Sequence, residues 1–182
     1  MRRIVALLLA LPLLVLGCAG RDRTLQEAVS AYNALLAQGY RSMDMTPLAA
    51  AATPDRLMKA YHHMAALGEG GVKMDAAPPE IRFETVKRLS PTEAEVVTRE
   101  SWRYRYVALQ GNQAGRESTV HYTARYRLAH QEGKWLVADL QILATDKTDD
   151  SDLLPFLKRP AEESPGSGNV MHNERDGDAA RP

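Results

Sequence analysis

The chain has 182 residues with 23 basic and 23 acidic side chains, a near-neutral balance that gives no electrostatic footing for a nucleic-acid partner. Its length suits one domain plus additional segments. It has a single cysteine, which excludes a disulfide framework, so stability has to come from an apolar core.

The chain opens on Met1-Arg2-Arg3, followed by an apolar run from Ile4 to Leu16. As a helix this run would rise about 20 Å, short of the roughly 30 Å of a bilayer's hydrocarbon core. A basic start, a short apolar stretch and small residues at its end describe a secretory signal peptide. The run ends in Val15-Leu16-Gly17-Cys18, which closely resembles the bacterial lipobox. That resemblance implies that residues 1–17 are a leader and that Cys18 is acylated and becomes the mature N-terminus. Two or more acyl chains anchor stably where one binds only marginally. The next residue is Ala19 rather than Asp, which in such lipoproteins implies the outer membrane, periplasmic face. The expected partner at this end is therefore membrane lipid, held through acylated Cys18, with residues 18–23 as a short linker.

Thr24-Leu25-Gln26-Glu27 fits a capping box, and Leu25, Val29, Tyr32 and Leu36 follow at helical spacing up to Gly39. Thr46-Pro47 and Thr53-Pro54 read as two further helix starts. The first opens a short Ala-rich helix to Ala52. The second opens a longer one to Leu67, with Leu57, Tyr61, Met64 and Leu67 as its core face, ended by Gly68-Glu69-Gly70-Gly71. Gly70 to Glu80, with Pro78-Pro79, reads as a connector, and Ile81 to Val86 as a first strand.

Three longer strands are predicted at 95–107, 118–128 and 134–143. They hold both tryptophans and four of the seven tyrosines, and aromatic and β-branched residues at period two are the strongest strand signal a sequence gives. Alternation puts Val96, Thr98, Glu100, Trp102, Tyr104 and Tyr106 on one face with Val120, Tyr122, Ala124, Tyr126 and Leu128. The other face carries Arg99, Arg103, Arg105, Arg125 and Arg127. A sheet apolar on one side is antiparallel and needs a cover. Gln131-Glu132-Gly133 has the length of a tight hairpin loop. The last strand is apolar on both faces, which places it centrally or beside a bulge that flips its register. Beyond residue 145 the composition turns to charge, Gly, Pro and Ser. Residues 146–182 are therefore expected to be a mostly disordered tail, with Leu153-Leu154-Pro155-Phe156-Leu157 as its one apolar segment.

Helices followed by an antiparallel meander define an α+β domain over residues 24–145. The order of elements, the Trp- and Tyr-rich strand and the closing Glu132-Gly133-Lys134-Trp135-Leu136-Val137 resemble the NTF2-like (SnoaL-like) superfamily. The resemblance implies a cone: three N-terminal helices packed on a curved four-stranded antiparallel sheet. It does not name an activity, because the same fold serves isomerases, cyclases, transport factors and inert accessory domains.

Two sets of residues carry candidate function. Glu100 sits on the aromatic face, where Asp139, Tyr61 and Tyr104 are the residues that would complete a site. A carboxylate desolvated in an apolar cone can serve as a general base, as in ketosteroid isomerase, which shares the cone; its catalytic positions have no residue-by-residue match here. The competing reading has Glu100 simply paired with a tyrosine hydroxyl or an arginine. The second set is the arginine face, Arg99, Arg103, Arg105, Arg125 and Arg127, which suits either an anionic envelope partner or a homodimer. No spacing of histidines supports a metal, because His62 and His63 point about 100° apart on a helix, and no motif calls for a cofactor. The preferred reading is a membrane-anchored, non-catalytic periplasmic interaction module. The alternative is a small-molecule binder, or an enzyme of the SnoaL and ketosteroid isomerase kind, using a pocket around Glu100. A cone packed shut favours the first; a cavity of roughly 300 Å³ or more favours the second.

Overall fold

The computed structural model describes residues 16–111 and 113–147. Most of the leader expected over residues 1–17, and the tail expected over residues 146–182 from residue 148 on, with its Leu153–Leu157 segment, lie outside them. The element order is helix α1 (Leu16–Ser42), a 3₁₀ helix (Thr46–Ala50), helix α2 (Pro54–Glu69) and strands β1 (Val72–Ala76), β2 (Glu80–Arg88), β3 (Glu93–Ala108), β4 (Ser118–Gln131) and β5 (Lys134–Lys147). This is an α+β architecture with two α-helices and an open, five-stranded antiparallel sheet. Among the described residues no helix is long and apolar enough to cross a membrane.

β3 is the spine. One of its edges pairs along its length with β4; the other is shared end to end by β2, which pairs with residues 94–101, and β1, which pairs with residues 104–108. β5 closes the far side of β4. The fifth strand is a correction. Val72–Ala76 lies in the stretch expected to be a connector, yet Val72 and Ala76 are buried against the spine. A five-residue strand with Lys73 and Asp75 between its buried ends carries too little pattern to be read from sequence.

The expected faces of β3 hold, with Val96, Thr98, Glu100 and Trp102 buried and Arg99, Arg103 and Arg105 exposed. β5 lies at the edge rather than the centre, and it contains the anticipated register flip. Leu128 pairs with Val137 but Arg127 with Asp139, so Ala138 is the extra residue, and Leu143 is a second one. These bulges keep Trp135 and Val137 in the core and then return Leu140 and Ile142 to the same side, which is why the strand reads as apolar on both faces. A third irregularity, at Glu84, bends β2. The β4–β5 hairpin turns on Glu132 and Gly133, both at positive φ, the two-residue connection whose twist matches the flanking strands.

The helices cover the bent face. α1 buries Leu25, Val29, Tyr32 and Leu36, as its spacing predicts, together with Ala37 and Tyr40. It does not start at the Thr24 capping box: the backbone is helical from Leu16, because nothing in Arg21-Asp22-Arg23 breaks a helix. Residues 18–23, expected as a linker, are therefore helical. Nor does α1 stop at Gly39. Its end comes at Met43, which takes a positive φ; Gly39 instead gives room to Met45, whose sulfur would lie 2.4 Å from a Cβ at that position. The expected second helix is a single 3₁₀ stretch, so two α-helices stand where three were expected. The chain after it borders β5, where Thr53 N–H donates to the Val137 carbonyl and Val137 N–H to that of Ala51. α2 turns Ala60 and Met64 fully inward, whereas Tyr61, expected in its core face, is 48% exposed.

Candidate functional site

The sheet and the two helices border a cavity of about 320 Å³. Its floor comes from β3 and β4 (Glu100, Trp102, Val120, Tyr126). One wall is α1, through Asn33, Leu36 and Tyr40, and the other is formed by α2 with Arg56 and His63. Tyr104 and Tyr106, on the part of β3 that pairs with β1, line it too, as do Met74, Tyr122 of β4 and Leu140 and Ile142 of β5. This volume lies at the lower end of the roughly 300–1,000 Å³ typical of small-ligand sites.

Glu100 anchors the floor and is 4% exposed. Its Oε1 accepts from the Tyr126 hydroxyl at 2.5 Å, the Thr98 hydroxyl at 2.8 Å and Asn33 Nδ2 at 3.3 Å; its Oε2 accepts from the Trp102 indole N–H at 2.8 Å. Thr98 and Trp102 are Glu100's same-face neighbours along β3, and β4 brings Tyr126 alongside. Asn33 arrives from α1, so one carboxylate ties helix to sheet. Four donors meet the demand of a buried carboxyl group, which is costly unless hydrogen-bonded. Tyr126 in turn accepts from Asn33 Nδ2 at 2.9 Å. Burial, with the Glu100 charge beside it, pushes the Tyr126 hydroxyl well above the ordinary phenol value, so it remains a donor.

The other residues expected to join Glu100 are not gathered there. Asp139 follows the first β5 bulge and turns out to Lys59, whose Nζ lies 3.2 Å from its Oδ1. Tyr61 is on the exposed side of α2, edge-on to the His62 ring. Tyr104 does reach the cavity, beside Tyr106.

Arg56, which the sequence reading did not single out, and His63, which it set aside as a metal ligand, line the cavity instead. Arg56 donates through Nε to the buried Tyr32 hydroxyl at 2.6 Å, with its guanidinium carbon 5.6 Å from the centre of that ring. His63 lies 2.6 Å, through Nδ1, from the Tyr40 hydroxyl. Burial holds the Tyr40 phenol far above its usual range, while partial burial and the nearby Arg56 charge lower the His63 imidazole. The hydroxyl keeps its proton and the two groups share one hydrogen bond, whose direction follows the imidazole tautomer. The signal available was the seven-residue spacing of Arg56 and His63, two turns apart on one side of α2. Among the described residues no cluster of three or more His, Cys, Asp or Glu side chains is arranged to hold a metal.

The outer face is different. Arg99 Nε lies 2.5 Å from Glu84, Arg105 contacts Asp75 at 3.0 Å, and Arg125 Nε is 3.6 Å from Glu95. Arg103 and Arg127 are exposed. A broader, more open depression of about 690 Å³ crosses this face, bordered by Arg82, Arg99 and His121 but also by Glu80 and Asp146. Charge of both signs lines it, so the face is not the uniformly basic surface that its arginines alone suggest.

No family model matches the chain, and no curated protein does. Among solved structures it is similar to the intermembrane space region of the chloroplast protein ARC6, with a TM-score of 0.57 at 17% identity. The match covers 68% of this chain and 96% of that one. At that identity the likeness concerns the fold: helices packed on one face of an open antiparallel sheet.

Proposed function

We propose that this chain is a lipid-anchored, non-catalytic module of the cell envelope, built on an NTF2-like cone, that holds a small, largely apolar molecule in its concave cavity. The observation that carries this reading is the state of Glu100. The concave side of the sheet holds a cavity, which favours a ligand, but the carboxylate at its floor already accepts four hydrogen bonds. A general base needs a lone pair directed at the substrate's proton; here Oε1 already takes three donors and Oε2 the Trp102 indole, which leaves one lone pair, on Oε2, in a carboxylate otherwise held by the protein. The aromatic and apolar wall, with few polar groups, is the usual make-up of a binding site.

The anchor half of the proposal rests on the basic start, the apolar run and Cys18 in its lipobox setting. With helical backbone from Leu16 onward, an acyl group on Cys18 would sit about 10 Å along the helix from Leu25, the first buried core residue. The domain would then ride close to the bilayer, on a stiff connection.

Two measurements test the two halves. Cys18→Ala should abolish fatty-acid labelling and release the protein from the membrane fraction; continued membrane retention of an unlabelled variant removes the anchor. Titration of the full chain with the neutral probe naphthalene-carboxamide should saturate in the wild type and be lost in Leu140→Trp, which fills the cavity. Failure of the wild type to bind removes the pocket.

A further inference from the structure

We infer that the molecule held in the cavity is an anion: a small carboxylate with a flat apolar body, its charged end bound by the partly exposed Arg56 on the α2 wall. This rests on the binding role proposed for the cavity and specifies its ligand.

Arg56 is partly buried, and only its Nε is engaged, by the Tyr32 hydroxyl. That bond fixes the plane of the guanidinium at the cavity wall. Among the described residues no carboxylate forms an ion pair with it. Both nearby acids are committed elsewhere, Glu100 to its four donors and Asp139 to Lys59. A partly desolvated guanidinium with two unused nitrogens, held in a fixed plane, is a preformed fork for a carboxylate. His63 lines the same cavity, joined through Nδ1 to the Tyr40 hydroxyl. No carboxylate lining the cavity opposes an anion at this end; Glu100 is the one acid on its wall, at the floor and covered by its donors.

The rest of the wall sets the body of the ligand. Trp102, Tyr104, Tyr106 and Tyr122 supply ring faces and edges, and Met74 and Leu140 complete an apolar slot. Aromatic walls favour flat partners in offset or edge-on contact, and about 320 Å³ suits one or two rings.

The test compares naphthalene-carboxylate with naphthalene-carboxamide, the same body with and without charge, by calorimetric titration of the full chain. The carboxylate should bind the wild type about ten-fold more tightly, the factor expected of one charge-assisted hydrogen bond. Arg56→Gln should remove that preference, bringing the ratio of the two affinities to about one, whatever loss is common to both probes. Equal affinities in the wild type, or a preference that survives Arg56→Gln, would overturn the inference and leave the cavity's binding role standing. Failure of both probes would bring down both. If Arg56→Gln does not fold, Arg56→Lys decides: it keeps the charge but loses the fork, so the preference should shrink, and a preference equal to the wild type's overturns the assignment to Arg56.

Discussion

On the outer face of the sheet Arg99, Arg105 and Arg125 each meet a carboxylate in or near water; on the inner face a single carboxylate, Glu100, lies nearly buried among four donors. The outer face draws the eye in the sequence because arginine recurs there. Yet an exposed ion pair contributes only about 0–1 kcal/mol, whereas breaking a buried, charged hydrogen-bond network costs about 3 kcal/mol or more. Number and weight are thus inverted between the faces. Many charges outside set solubility and strand register, and one charge inside holds α1 to β3 and β4 and shapes the cavity floor.

The sharpest way to break this contrast is Glu100→Gln. The amide keeps the size but turns an N–H₂ toward the donors of its neighbours, so stability should fall by about 3 kcal/mol and the melting temperature by on the order of 10 °C. A drop of less than about 2 °C in a thermal melt would place the weight elsewhere. Next comes Tyr126→Phe, which preserves the ring packing against Tyr32 but takes a donor from Glu100 and an acceptor from Asn33; a loss of about 1–3 kcal/mol is expected by denaturant titration.

A smaller effect is pH-dependent. The folded-state imidazole of His63, facing Tyr40 and Arg56, has its pKa lowered by partial burial first and by the Arg56 charge second. The unfolded chain therefore binds that proton more readily. The His63 contribution is complete above its ordinary value of about 6.5 and is lost as pH falls below it, through the folded-state pKa. Wild type should lose more melting temperature than His63→Asn between about pH 7.5 and pH 5, by under ~3 °C because solvent screens a residue at the rim. An equal loss in both would mean that this ring does not titrate with unfolding. Smallest of all are Arg99→Gln and Arg105→Gln, each expected to move stability by about 1 kcal/mol or less, with the difference fading as salt rises. A loss as large as that of Glu100→Gln in either would undo the comparison between the faces.

How much of this was legible before the structure differs by element. Alternation placed Glu100, Trp102 and Tyr126 on one face and the arginines on the other, because period two survives any amount of bending. The two apolar faces of β5 announced a bulge, although not that the strand lies at an edge. What period alone could not supply was depth. Tyr61 and Ala60 are adjacent on α2, and the larger, more aromatic residue was assigned inward; packing chose the smaller one, which lets α2 approach the sheet and swings Arg56 and His63 to the cavity. Asp139 was a candidate partner for Glu100 until the bulge at Ala138 turned it to Lys59. The cavity itself depends on how far the bulged strands bend and on how α1 and α2 sit over them, a property of several elements at once.

β3 carries one more consequence. Its backbone is paired on one edge by β4 and on the other by β1 and β2 set end to end, so no sliding of a single neighbour frees it. β5 has a neighbouring strand on one side, and among the described residues its other edge is met only beside Val137, by residues 51–53. In deuterated water the amides of residues 96–102 should therefore exchange only when the whole domain opens, while those of residues 141–146 exchange through local fraying. The last part of the protein to surrender its protons would be the strand that carries Glu100, which ties the integrity of the cavity floor to the global unfolding event rather than to any local motion at its mouth.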